Sequence, residues 1–249
     1  MTLPPAPAQP RFFGLGLGPG DPELVTLRAH RLLMGADRLV HFSRRGKRGN
    51  ARTLADALVP PDPAREIALV YPVTTEVATD DPAYGAAITP FYEESCARLA
   101  AELDAGHRVA VLCEGDPFFY GSFMHLWRRL APLYPAEVVP GITGMSGCWT
   151  RAGVPITWGD DVLSVCPATL SPDALEAHFR AADALVVMKL GRHLPKVREA
   201  LRRAGLHDRA VYVERGTMPD EVICPLADKK DDAAPYFAMV LVPGRGRRL

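Results

Sequence analysis

The 249-residue chain has no run of the roughly 20 apolar residues that a membrane-spanning helix needs. It has no charge of one sign to spare: Lys+Arg and Asp+Glu both total 29, a net charge of zero. A protein that works mainly by neutralising a phosphate backbone carries a basic excess, so the balance argues against DNA or RNA as partner. Cysteine is sparse and odd in number. Cys96, Cys113, Cys148, Cys166 and Cys224 are scattered, with no C-x-x-C and no Cys/His pair at ligand spacing. That pattern excludes a disulfide framework and offers no metal site; it reads as small buried hydrophobes in a reducing cytoplasm. The opening MTLPPAPAQP lacks both the basic start and the apolar core of a signal peptide, so residues 1–10 are expected to be a disordered Pro/Ala tail. Two phosphate-binding patterns are missing too. There is no G-x-x-x-x-G-K-[ST], and the Gly-rich start fails G-x-G-x-x-G in either register, where Pro19 or Asp21 stands in the third glycine's place.

What remains is an alternation of short apolar runs with helical stretches. Phe12–Leu17, Arg38–Phe42, Glu66–Tyr71, His107–Cys113 and Ala136–Pro140 read as strands. Asp21-Pro22 reads as a cap and first helical residue, predicting a helix over Glu23–Met34 with Leu24, Leu27, Arg31 and Met34 on one face. A long helix is expected over Pro82–Ala105, ending before Gly106. Beyond the Gly-rich stretch Gly141–Gly147 come strands at Asp161–Cys166, Ala184–Leu190, Arg209–Glu214 and Tyr236–Val242, with helices at Ser171–Ala181 and Leu194–Ala204. Strands alternating with helices imply a parallel sheet covered on both faces. In the second half a helix no longer follows every strand, so its sheet is expected to be mixed. The reading is an α/β protein of two domains, 11–139 and 140–249, followed at its end by a basic tail, PGRGRRL.

Three Gly-rich loops follow three of the strands. The first is GLGLGPGDP, Gly14–Pro22. The second is CEGDPFFYGS, Cys113–Ser122, where Glu114 and Asp116 put two carboxylates at a strand terminus. The third is VPGITGMSG, Val139–Gly147. In an open parallel sheet ligands bind beyond the carboxyl ends of the strands, and glycine lets a ligand approach the backbone. Each loop alone also reads as a simple tight turn, and Asp116 as no more than the cap of the next helix. Three of them converging on one sheet edge make a common binding site.

With G-x-GPGDP near the start, GDP-x-x-YG after the fourth strand and VPGIT after the fifth, in this order from about residue 11 to 243, the chain resembles the tetrapyrrole methylase family. Val73–Leu103, Met188–Leu201 and Glu214–Asp228 are most similar to members that methylate precorrin-2 at C-20 in cobalamin synthesis. The resemblance implies two unequal α/β domains, largely parallel then mixed, with S-adenosylmethionine as methyl donor in the cleft between them. It implies Pro19 in the first donor loop, Glu114, Gly115, Asp116 and Phe119 in the second, and Thr143 and Gly144 in the third. From the second domain it implies Met188 or its neighbour Lys189, and Gly216. It also implies a tetrapyrrole substrate, a homodimer and a cytoplasmic location, with no nucleic acid, membrane or metal. Other members methylate ribosomal RNA or a modified protein histidine, and a chain that keeps the loops without turnover would be a binding module.

The implied acceptor is a meso carbon made nucleophilic by the conjugated nitrogens, so the protein's main task is to align the reactants and exclude water. Glu114, Asp116, Tyr120 and Glu214 all stand as alternatives for a base that later removes a proton. The macrocycle carries many carboxylate arms, which suit arginine's planar fork. The basic run Ser43–Arg48 supplies Arg44 and Arg45 as candidate substrate residues, with Tyr120 beside them and Arg192 and His193 as weaker ones.

Overall fold

The computed structural model describes residues 9, 11–73 and 82–246. The Pro/Ala tail, apart from Gln9, and the last three residues of the basic tail lie outside the described residues. The chain divides into two compact units, one ending at Thr143 and the other starting at Gly144.

The first unit is a five-stranded sheet of β1 (Phe12–Gly16), β2 (Arg38–Ser43), β3 (Glu66–Val70), β4 (Val109–Cys113) and β5 (Ala136–Val139), in the order β3-β2-β4-β1-β5. Every neighbouring pair is parallel. Helices α1 (Leu27–Met34), α2 (Asn50–Ala55), α3 (Pro82–Asp104) and α4 (Phe123–Leu130) connect the strands. FFGLG and VAVLC are apolar at nearly every position because β1 and β4 are buried on both faces. Successive side chains point to opposite faces. Phe12, Val109 and Val111 pack with Leu99 of α3 and Phe123 and Leu126 of α4. Phe13, Leu15, Ala110 and Leu112 pack on the other side with Ala29 and Leu33 of α1 and Ala51 and Ala55 of α2. After β1 the chain crosses β4 to reach β2; after β4 it crosses β1 to reach β5. The two connections leave the adjacent pair β1–β4 in opposite directions, and the carboxyl ends of the strands are where open parallel sheets bind ligands.

The helix expected over Glu23–Met34 is broken in two. Asp21 caps a single 3-10 turn, Pro22–Leu24, by accepting from Glu23 N at 2.9 Å. Val25 and Thr26 are then extended, and Thr26 caps α1 afresh through Ala29 N at 3.1 Å. Two capping residues in succession restart the helix, so its buried face is Ala29 and Leu33, while Leu27 is 90% exposed.

The second unit opens with α5 (Gly144–Arg151) and carries β6 (Leu163–Pro167), α6 (Pro172–Ala181), β7 (Ala184–Met188), α7 (Leu194–Arg203), β8 (Val211–Glu214), β9 (Val222–Pro225) and β10 (Ala238–Val242). Its sheet runs β6-β7-β10-β8-β9, with only β6 and β7 parallel. Leu175 and Phe179 of α6 and Val197 and Leu201 of α7 cover one face, on Leu185, Val187, Tyr212 and Val240. Cys148 of α5 covers the other, on Ala184, Val186, Val213 and Leu241. The mixed sheet is as expected from the missing helices, because β10 returns between β7 and β8.

Candidate functional site

At the carboxyl ends of β1, β4 and β5 three backbones touch. Leu17 N donates to Cys113 O at 2.9 Å, continuing the β1–β4 ladder one residue further. The chains then curl into each other: Gly115 N donates to Gly18 O at 2.8 Å and Gly18 N to Gly115 O at 3.3 Å. Both glycines are left-handed, with φ of 76° at Gly18 and 61° at Gly115, a conformation that side chains disfavour. The third loop leaves no more room. A Cβ on Gly141 would lie 2.0 Å from Gly115 O, and one on Gly16 2.4 Å from Gly141 N. The three loops singled out in the sequence therefore form one structure.

Asp116 locks it. One carboxylate oxygen accepts from Phe118 N at 2.9 Å, and the other accepts from Gly141 N at 3.1 Å. It does not cap α4, whose N-cap is Ser122. Instead it ties the second loop to the third, a charge-assisted cross-link between segments 25 residues apart. Glu114 reaches in another direction. Its Oε1 accepts from Ala51 N at 3.0 Å, in the first turn of α2. Burial pushes its carboxyl pKa up, and the hydrogen bond from Ala51 works against that rise.

Pro19 is buried in the first loop. Phe119 and Tyr120 stand edge to face with centroids 4.9 Å apart. Tyr120 is left-handed at φ 55° and 45% exposed, a strained position for a residue with a side chain. Ser122, two residues on, is bonded to the Tyr71 hydroxyl, which comes from the end of β3. Tyr71 stacks on Phe42 at 5.3 Å, so the ends of β2 and β3 are lined by rings that sequence reading did not single out. Arg44 and Arg45 are exposed in the turn after β2, on the same sheet edge as the Gly loops.

In the second unit the remaining candidates gather at another sheet edge. β7 and β8 run parallel to each other on either side of β10, so their carboxyl ends flank its start. Met188 is the last residue of β7, half-buried. Lys189 turns off the strand with φ 58°, and burial lowers its ammonium pKa. After β8 the turn holds Arg215 at φ 50° and Thr217 at φ 74°, on either side of Gly216. A Cβ on Gly216 would meet Cys148 Sγ at 2.8 Å, which draws α5 against the turn. Burial raises the Cys148 thiol to about 12, so it stays a neutral packing group. Gly144, at the start of α5, faces Met239 of β10. Thr143 precedes it and is half-buried. Arg192 is exposed in the 3-10 turn Gly191–His193.

The alternatives for a base are engaged in part. Glu114 and Asp116 accept backbone N–H groups, and Glu214 accepts from the Tyr212 hydroxyl at 2.7 Å and pairs with Arg215. Among the described residues no group of three or more His, Cys, Asp or Glu is placed to hold a metal ion. No described helix is long and apolar enough to cross a membrane.

Residues 11–229 match the tetrapyrrole (corrin/porphyrin) methylases. A precorrin-2 C(20)-methyltransferase from a Sinorhizobium species is 54% identical, over 94% of this chain and 95% of that protein. A cobalt-precorrin-2 C(20)-methyltransferase from Salmonella typhimurium is 29% identical, over 93% of this chain and 95% of that protein. Among solved structures, a uroporphyrin-III C-methyl transferase from Thermus thermophilus, complexed with S-adenyl homocysteine, aligns with a TM-score of 0.62 at 25% identity, over 94% of this chain and 92% of that one.

Proposed function

The chain belongs to the tetrapyrrole (corrin/porphyrin) methylases, and from that premise we propose that it transfers a methyl group from S-adenosylmethionine to C-20 of precorrin-2, giving precorrin-3A in cobalamin synthesis. The observation that carries this reading is end-to-end similarity to a precorrin-2 C(20)-methyltransferase, joined to an intact junction of the three glycine loops. The relative named for the cobalt complex is far less similar, which favours the metal-free substrate.

When bound, the donor supplies an activated methyl on a sulfonium. The chain's own residues bind and orient. In the first unit Pro19, Gly115, Asp116, Phe119 and Thr143 would hold the donor, with Glu114 through its backbone. In the second Met188 or Lys189, Gly144 and Gly216 would do so. Asp116 keeps the second and third loops in fixed register by its two hydrogen bonds, so the cradle needs no rearrangement on binding. Arg44, Arg45 and Tyr120 take the tetrapyrrole, the arginines by pairing with its carboxylate arms. Holding donor and acceptor in line while excluding water accounts for about 7–11 kcal/mol of barrier in well-oriented systems. An acceptor carbon that is already nucleophilic asks for no covalent help from the protein. The same reading makes the enzyme a cytoplasmic homodimer, and light scattering of the purified protein tests the dimer.

The direct test is an anaerobic incubation with S-adenosylmethionine and precorrin-2, followed by mass spectrometry of the tetrapyrrole. The expected product gains one methyl. Turnover with cobalt-precorrin-2 alone would move the enzyme to the metal-loaded branch. No transfer to either, with S-adenosylhomocysteine still bound, would move the enzyme to another acceptor within the family.

A further inference from the structure

The basic turn Arg44–Arg48 lies between β2 and α2, and α2 is held at two points. In the middle of the helix Arg52 is fully buried. Its guanidinium donates to Glu66 Oε1 at 2.9 Å and to Val59 O at 3.1 Å, and it pairs with Asp56 at 2.9 Å. That fork anchors α2 to the sheet. At the near end the N-cap is Gly49, which has no side chain to cap with. A Cβ there would fall 2.2 Å from Phe42 O, so the chain is pressed against β2 at this point. The first-turn N–H groups of a helix have no partner inside it. One of them, Ala51 N, finds its acceptor not in the preceding residues but in Glu114, 63 positions away at the end of β4. The residue after Glu114 is Gly115, which closes the loop junction with Gly18. A six-residue helix does not hold its own geometry, so where it starts is decided by what it is tied to.

We propose that Glu114 is a positioning residue for the tetrapyrrole: by capping α2 from the strand that carries the second donor loop, it fixes Arg44 and Arg45 in register with the methyl donor. This rests on the reading above that these arginines hold substrate carboxylates. The device links two segments that meet different molecules. Glu114 contributes a cross-strand cap, its carboxylate engaged with Ala51 N.

The test measures the KM for precorrin-2, kcat and the Kd for S-adenosylhomocysteine in Glu114→Ala, Glu114→Gln, Arg44→Ala/Arg45→Ala and the combined variant. Glu114→Ala is expected to raise KM about tenfold, the worth of one hydrogen bond, and to leave the Kd within about twofold. Glu114→Gln keeps an acceptor oxygen and is expected to restore the wild-type KM. Adding Glu114→Ala to the double arginine variant is expected to change KM no further. The proposal is overturned by an unchanged KM in Glu114→Ala, by an equal loss of S-adenosylhomocysteine affinity, or by a glutamine variant as poor as alanine. A raised KM in the arginine variant with an unchanged one in Glu114→Ala overturns the positioning role alone. An unchanged KM in the arginine variant removes the clamp and the proposal together. Should Glu114→Ala not fold, the glutamine variant decides: a wild-type KM supports acceptance from Ala51 N, and a raised one rejects it.

Discussion

The two units shape their loops by opposite means. In the first, Gly16, Gly115 and Gly141 bring three backbones together by leaving side chains out. In the second, Lys189, Arg215 and Thr217 keep their side chains and are held left-handed at the ends of β7 and β8. Left-handed backbone costs an L-residue about 1–2 kcal/mol, so the surrounding fold must offset it. A parallel sheet with all its strands running one way gathers its loops at one edge, where only glycine allows them to interlock. A mixed sheet sends β10 back between β7 and β8, and its loops are spread apart and bent individually. The first unit's loop junction is therefore steric and intolerant of added atoms, although Tyr120 beside it is also held left-handed. The second unit's turns rest on local strain and on the packing of Gly216 against Cys148.

The largest effect that would break this comparison lies in the third loop. Gly141→Ala puts a methyl 2.0 Å from one backbone oxygen and 2.8 Å from Gly16 Cα. Neither neighbour is a flexible side-chain tip, so the expected loss is about 3 kcal/mol or more, with donor binding lost. Gly144→Ala, three residues on and in the second unit, meets only the end of Met239 at 3.5 Å and should cost under about 1 kcal/mol. Denaturant unfolding of the two variants side by side checks this, and equal losses would contradict the steric account.

A smaller effect is expected at Asp116. Asp116→Ala removes the acceptor for both Phe118 N and Gly141 N. Two hydrogen bonds to a charged group are worth about 3–6 kcal/mol together, but Asp116 is only partly buried and water can take its place, so the expected loss is about 1–3 kcal/mol. Calorimetric titration should show weaker S-adenosylhomocysteine binding, and an unchanged affinity would contradict the role of Asp116 in holding the loops.

The smallest effect is one of sign. Burial raises the Glu114 pKa above the ordinary 4.5, so the folded state keeps a proton that the unfolded state has released. That contribution is present below about pH 4.5 and is lost as pH rises through the folded pKa. Glu114→Gln should therefore gain stability over wild type as pH rises through that window and hold the gain above it. Lys189, in the second unit, is shifted the other way, below 10.5 by burial. Lys189→Met should show its gain at neutral pH and lose it as pH climbs toward 10.5. Urea midpoints across pH read both, and parallel trends would contradict the assignment.

What the sequence made legible follows from what is local. VAVLC and ALVVM are strands on their face, and the Gly loops stand beside them. The restart of α1 at Thr26 was hidden because Asp21 and Thr26 both cap well, and a periodic reading runs through them. Helix α2 was hidden for another reason. NARTLA has too few residues for a period, and its stability comes from the burial of Arg52 and a cap from Glu114, both distant in sequence. β9 is an edge strand ending in Pro225 and largely exposed, so it has little apolar pattern to read. Asp116 looked like a cap for the next helix because its true partner, Gly141 N, lies beyond an intervening helix and strand.

The measurement that bears most directly on the central claim uses a donor carrying a carbon-13-labelled methyl. The enzyme is incubated with it and precorrin-2 under anaerobic conditions, and the product is read by NMR. A single enriched methyl on C-20 is the result the account predicts. A label at any other carbon of the macrocycle, or at none, would contradict it.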